Sequence, residues 1–138
     1  TVGYKYHMNN VIATIGLVQL EYLEVSAKRN LANGKYFDEN LNNIPGIRLL
    51  PYYVNTEPSY WLYTVKVEKR EDFIKMMLGK GINVSVLHLR NDKHAIFQST
   101  RVLKNLDKFY NEFIHIPCGW WLNNEDKQKI VNSIKNGW

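Results

Sequence analysis

The sequence predicts an α+β fold: a long N-terminal helix followed by a small C-terminal domain, whose small mixed or antiparallel sheet carries helices on one side. Three observations predict it. Apolar residues recur at helical spacing from about residue 9 to about residue 42. Residues 60–67 are dense in aromatic and β-branched side chains, as a strand is. Beyond residue 70, helical and extended patterns alternate.

The helix comes first. Asn9 or Asn10 can cap it, since a short amide side chain accepts a bond from an unpaired backbone N–H. Met8, Val11, Ile12, Ile15, Val18 and Tyr22 then share one face. A second stripe runs through Leu20, Leu23, Ala27 and Leu31 and on to Phe37 and Leu41. The pattern predicts one long helix, or two joined with a bend, ended by the turn chemistry of Asn42-Asn43-Ile44-Pro45-Gly46. Two apolar stripes must be buried, and the rest of the chain is too short to cover both. A missing domain or a second subunit is the expected cover.

Residues 47–53 read as a first strand whose later half is an unlikely central position because of Pro51. Residues 60–67 are the second strand. Residues 71–78 form a short helix with Phe73, Ile74, Met77 and Leu78 on its apolar face, closed by Gly79-Lys80-Gly81. Residues 82–87 read as a third strand, with Val84, Val86 and His88 facing one way. Leu106, Phe109, Tyr110 and Phe113 mark a further helix that Asn105 could cap. Residues 114–116 are a short strand and residues 117–122 a turn carrying two tryptophans. Residues 125–134 are a last helix, with Glu125 and Asp126 at the positive end of its dipole.

At 138 residues, 45% hydrophobic and 22% charged, the chain is a folded domain rather than a disordered one. No apolar run approaches the ~20 residues that span a bilayer, so no membrane partner is expected. The single cysteine, Cys118, excludes an intrachain disulfide and fits a reducing, cytoplasmic setting. As a small residue after Pro117 it reads as buried rather than nucleophilic. The net charge of +5 is spread along the chain without a basic run, which argues against nucleic acid as a partner. No metal-ligand spacing, glycine-rich phosphate loop or Ser-His-Asp pattern is present, so neither a metal nor a catalytic residue is expected in this chain.

Two polar clusters remain. His88 and His94 flank Arg90, Asp92 and Lys93 at the end of an expected strand, where binding groups are commonly mounted. A solvated loop has the same spacing. Tyr4, Lys5, Tyr6 and His7 precede the long helix, where backbone amides attract anions; a frayed terminus has the same composition. Of the tryptophans, Trp61 is expected in packing, whereas Trp120 and Trp121 fit either packing or ligand contact.

The run Gly3-Tyr4-Lys5-Tyr6-His7-Met8-Asn9-Asn10, followed by Ala13, Ile15-Gly16-Leu17 and Gln19-Leu20, resembles a signature segment of the DegT/DnrJ/EryC1/StrS family of sugar aminotransferases. The likeness continues through Asn43-Ile44-Pro45-Gly46-Ile47, residues 60–67, Gly79-Lys80-Gly81-Ile82, Val84-Ser85-Val86-Leu87-His88, Arg90-Asn91-Asp92-Lys93-His94 and Ile116-Pro117-Cys118-Gly119-Trp120-Trp121. It spans essentially the whole chain, in order.

The resemblance implies a fold-type-I enzyme dependent on pyridoxal phosphate (PLP), homodimeric, that aminates a nucleotide-linked keto sugar with glutamate as donor. Its large domain holds the cofactor and the lysine that forms the Schiff base. None of the lysines here lies in a segment resembling that lysine motif, and the chain opens at Thr1 directly before a core helix. The expectation is therefore a C-terminal portion: residues 1–43 as inter-domain loop and long helix, residues 44–138 as the small domain, and the large domain absent. Alone, it is expected to be catalytically silent and to hold no cofactor, because transamination needs the lysine to hold the aldehyde and shuttle protons.

In the family the loop matching residues 3–8 crosses the dimer interface toward the partner's cofactor phosphate. Here Lys5 stands at a position where asparagine is common and His7 where arginine is usual, so both depart from the pattern. The resemblance also places His88, Arg90 and His94 beside the substrate, with the Arg90 fork suited to a diphosphate. Two other readings are a non-catalytic assembly or regulatory half of a split protein, and a portion of a related sugar dehydratase.

Overall fold

The structure is a computed structural model and describes residues 7–53, 55–97 and 101–138. Helix α1 (Asn10–Leu20) begins where the side chain of Asn9 accepts the amide of Ile12 at 2.9 Å. A turn at Glu21 and Tyr22 separates it from α2 (Leu23–Leu41), so the long helix is two helices joined at a break. The two halves differ in what they touch. No residue of α1 is buried, whereas α2 buries Asn33, Gly34, Phe37 and Leu41 along one line. Asn43 and Gly46, at φ 61° and 81°, then turn the chain sharply into the sheet.

The sheet has three antiparallel strands in the order β1 (Ile47–Leu49), β2 (Tyr63–Val67), β3 (Phe113–Ile116). Val65 lies between Leu49 and Ile114 in register, and Tyr63 pairs with Ile116. Strand alternation sends Tyr63, Val65, Val67, Ile114 and Ile116 into the core. There they meet Phe37 and Leu41 of α2, Phe73 and Met77 of α3 (Arg70–Gly79), and Ile130, Val131 and Ile134 of α5 (Asn124–Lys135). Asn123 caps α5 through a reciprocal pair of bonds with Asp126. Helix α4 (Lys104–Glu112) runs directly into β3, and its Phe109 stacks on Phe113 at 4.9 Å, away from that core.

Several expectations change. The first strand stops at Leu49, two residues before Pro51. Residues 82–87 do not form a strand: they meet β3 at one bridge, Ser85 with His115. Extending that antiparallel register would oppose Asn83 to Pro117, which has no N–H, and Leu87 to Phe113, whose carbonyl accepts from Arg70 at 3.5 Å. The residue before α4 is Leu103 rather than Asn105, and it gives no side-chain cap. Trp61 is 66% exposed: it sits in a bend before β2 begins, ahead of the inward alternation. Cys118 is buried as expected, and burial pushes its thiol up to about 12.

One polar cluster locks α2 to the sheet. The Asp38 carboxylate accepts the hydroxyls of Tyr63 at 2.5 Å, Tyr60 at 2.9 Å and Tyr52 at 3.3 Å. Tyr60 reaches it with φ +46°, its ring lying over Gly34, where a Cβ would stand 2.4 Å from ring carbons.

Candidate functional site

The face of the sheet turned away from the core carries the site. The alternation that buries Val65 and Ile114 leaves Thr64 and His115 on that face, where Thr64 Oγ1 and His115 Nδ1 lie 2.9 Å apart. The Ser85 bridge carries the chain past His115 and delivers His88 beside it. Burial, with the nearby His88 adding to it, pulls the His115 pKa below its ordinary value. The exposed Trp61 ring faces His88 at 6.1 Å between centroids.

Beyond His88 the chain makes a single 3-10 turn (Asn91–Lys93), closed by Lys93 N to Arg90 O at 3.0 Å and His94 N to Asn91 O at 3.1 Å. Tyr110 of α4 donates to the His88 carbonyl at 3.4 Å. Between turn and helix opens a groove of about 610 Å³, with His88, Arg90, His94, Phe109 and Tyr110 in its wall. His88 and His94 are exposed, and both line it.

Arg90 differs from the two histidines. Its Nε and Nη2 donate to the two oxygens of Asp92 at 2.8 and 2.7 Å, and its Nη1 donates to Asp107 of α4. Its face lies over the Tyr110 ring, 5.7 Å from the centroid. Those contacts raise the Arg90 pKa and hold the Asp92 carboxyl below the usual carboxylate range.

The structure thus brings together His88, Arg90 and His94, all three singled out from the sequence. His7 is exposed just before α1 and is not among the residues lining the groove, and Lys5 lies outside the described residues. Four neighbours of these residues had escaped the sequence reading: His115, Thr64, Asp107 and Trp61, whose ring lies against His88. Only strand register could have found the first two, since 51 residues separate them. Among the described residues no group of three or more His, Cys, Asp or Glu side chains gathers as a metal site would need.

The model of the DegT/DnrJ/EryC1/StrS aminotransferase family matches residues 1–135. The chain belongs to this family. Among solved structures it is similar to the sugar aminotransferase CalS13 from Micromonospora echinospora, at 36% identity and a TM-score of 0.92, and to AtS13 from Actinomadura melliaura, at 34% and 0.91. Each likeness covers 99% of this chain and 37% of the other. Spr1654 from Streptococcus pneumoniae shares the fold at 24% identity and a TM-score of 0.80, again over 99% and 37%, and was solved in PLP and PMP forms. The curated relatives it matches are likewise spanned over 37% of their length.

Aminotransferases of this family depend on pyridoxal phosphate. The groove does not fit that group's anchoring site: no lysine lines it, so it offers no amine to hold the aldehyde. Its residues suit recognition instead. Two imidazoles, a tyrosine and two phenylalanines supply hydrogen bonds and stacking surface around a polar turn.

Proposed function

We propose that this chain is the inter-domain helix and small C-terminal domain, residues 1–43 and 44–138, of an aminotransferase that aminates a nucleotide-linked keto sugar, with glutamate as donor and PLP as cofactor. The cofactor and its lysine belong to a large domain outside this chain. The chain contributes no catalytic residue and binds no cofactor by itself. Its part is the substrate side: His88, Arg90 and His94 form the wall that meets the nucleotide-sugar. In a cytoplasmic homodimer, Lys5 and His7 would reach toward the partner's cofactor phosphate.

The observation that carries this reading is the likeness to CalS13, a sugar aminotransferase, over 99% of the chain, with a polar groove built on segments that match the family. The test is calorimetric titration of the chain with UDP and with dTDP. Saturable binding is expected, weakened about tenfold by His88→Ala, which removes one hydrogen-bonding ring. Equal, unsaturable heats for wild type and variant would contradict the reading.

A further inference from the structure

We infer that Arg90 is a positioning residue: it anchors the turn between His88 and His94 to α4 through Asp107, and it does not itself grip the anionic part of a ligand. The inference rests on the nucleotide-sugar reading for its ligand and on geometry alone for its anchor.

An arginine in the wall of a groove invites the role of phosphate clamp, but here three of its five N–H donors, one on each nitrogen, are already committed to carboxylates. Nε and Nη2 make a parallel fork to Asp92, Nη1 reaches Asp107, and Tyr110 covers one face of the guanidinium. Its side chain is only 8% exposed, so although Arg90 lines the groove, little of its guanidinium is open to a ligand. Arg90 stands between two carboxylates, so a ligand anion reaching its guanidinium meets negative charge already in place. Like charges at such range repel.

The same bonds serve a different end. Arg90 precedes the 3-10 turn, and its carbonyl accepts the Lys93 amide that closes it. Asp92 lies inside that turn and Asp107 in the first turn of α4, so the guanidinium ties the turn to a helix 17 residues away. Tyr110 adds a second tie through the His88 carbonyl. His88 and His94 flank this anchor, and the distance between the two imidazoles is set by it. A lysine could keep the charge but not the three-way fork.

The experiment compares the full chain with Asp107→Asn and Arg90→Lys in two readouts: amide hydrogen exchange at Lys93 and His94, and the affinity for UDP. Thermal melts confirm that the variants remain folded. The anchor role predicts exchange at those amides about tenfold faster in both variants. It also predicts weaker UDP binding in Asp107→Asn, although that change removes a negative charge. A phosphate clamp predicts the opposite sign: tighter binding, because Arg90 is set free. Unchanged exchange, or UDP held more tightly by Asp107→Asn, overturns the inference. Failure of UDP to bind even the wild type counts against the nucleotide reading alone, and hydrogen exchange still decides the anchor.

Discussion

At the residue scale, small side chains and hydroxyl groups decide more than their size suggests. Gly34 leaves room for the Tyr60 ring, and a Cβ there would stand 2.4 Å from it. Gly34→Ala is therefore expected to destabilise the fold by about 1–3 kcal/mol, the range for overpacking a tight contact. Denaturant unfolding measures it, and a neutral effect would mean the Tyr60 ring moves aside freely. Asp38 accepts three tyrosine hydroxyls, one from the buried Tyr63. Burial, with Asp38 beside it, raises the Tyr63 pKa above its ordinary value, and burial raises Cys118 to about 12. In both cases the unfolded chain loses its proton first, so stability is full below the unfolded pKa and declines as pH rises. The decline begins near pH 9 with Cys118 and steepens near pH 10 with Tyr63. Urea midpoints from pH 7 to pH 11 should fall accordingly, and Cys118→Ala should delay the onset. His115 works in the other direction. Its lowered pKa leaves it neutral in the fold, so stability is present above about pH 6.5 and is lost as pH falls.

At the scale of elements, periodicity made the helices legible, and only long-range pairing could have corrected the strands. The stripe ending in Phe37 and Leu41 identified the buried half of α2, and the dense residues before Glu68 located β2. The segment from Ile82 to Leu87 alternates as a strand does, yet ladder formation depends on a partner that Pro117 and Arg70 deny it. The site was half legible for the same reason. His88, Arg90 and His94 lie within one short stretch, whereas His115, Thr64 and Asp107 join them only through the register of β2 with β3 and the placement of α4. Helix α1 carries its own prediction. Val11, Ile12, Ile15, Leu17, Val18 and Leu20 are all more than half exposed, an arrangement that normally belongs to a helix buried on all sides. Val11→Glu with Leu17→Lys should leave the melting temperature nearly unchanged, since neither side chain touches the core, while reducing self-association in sedimentation velocity. A loss of stability as large as that of a core substitution would show that α1 packs onto the domain.

At the scale of the whole molecule, two surfaces ask for company. One is the apolar α1. The other is the wall of the groove, where Leu87 and Leu89 are exposed beside the polar turn. Among the described residues no helix, α1 included, is long and apolar enough to cross a membrane. The chain spans 37% of the length of its relatives, and under the proposed function the remainder would supply the partner that an exposed apolar helix lacks. In such an assembly the labour divides. Under the proposed function this chain would present two histidines and an anchored turn to the substrate, and the imine-forming lysine would come from elsewhere. The measurement that tests this division most directly is incubation of the purified chain with pyridoxal phosphate, followed by borohydride reduction and peptide mass analysis. Only scattered, substoichiometric labelling of surface lysines is expected. One pyridoxyl group fixed stoichiometrically on a single lysine would show that this domain holds its own cofactor, and the division proposed here would be wrong.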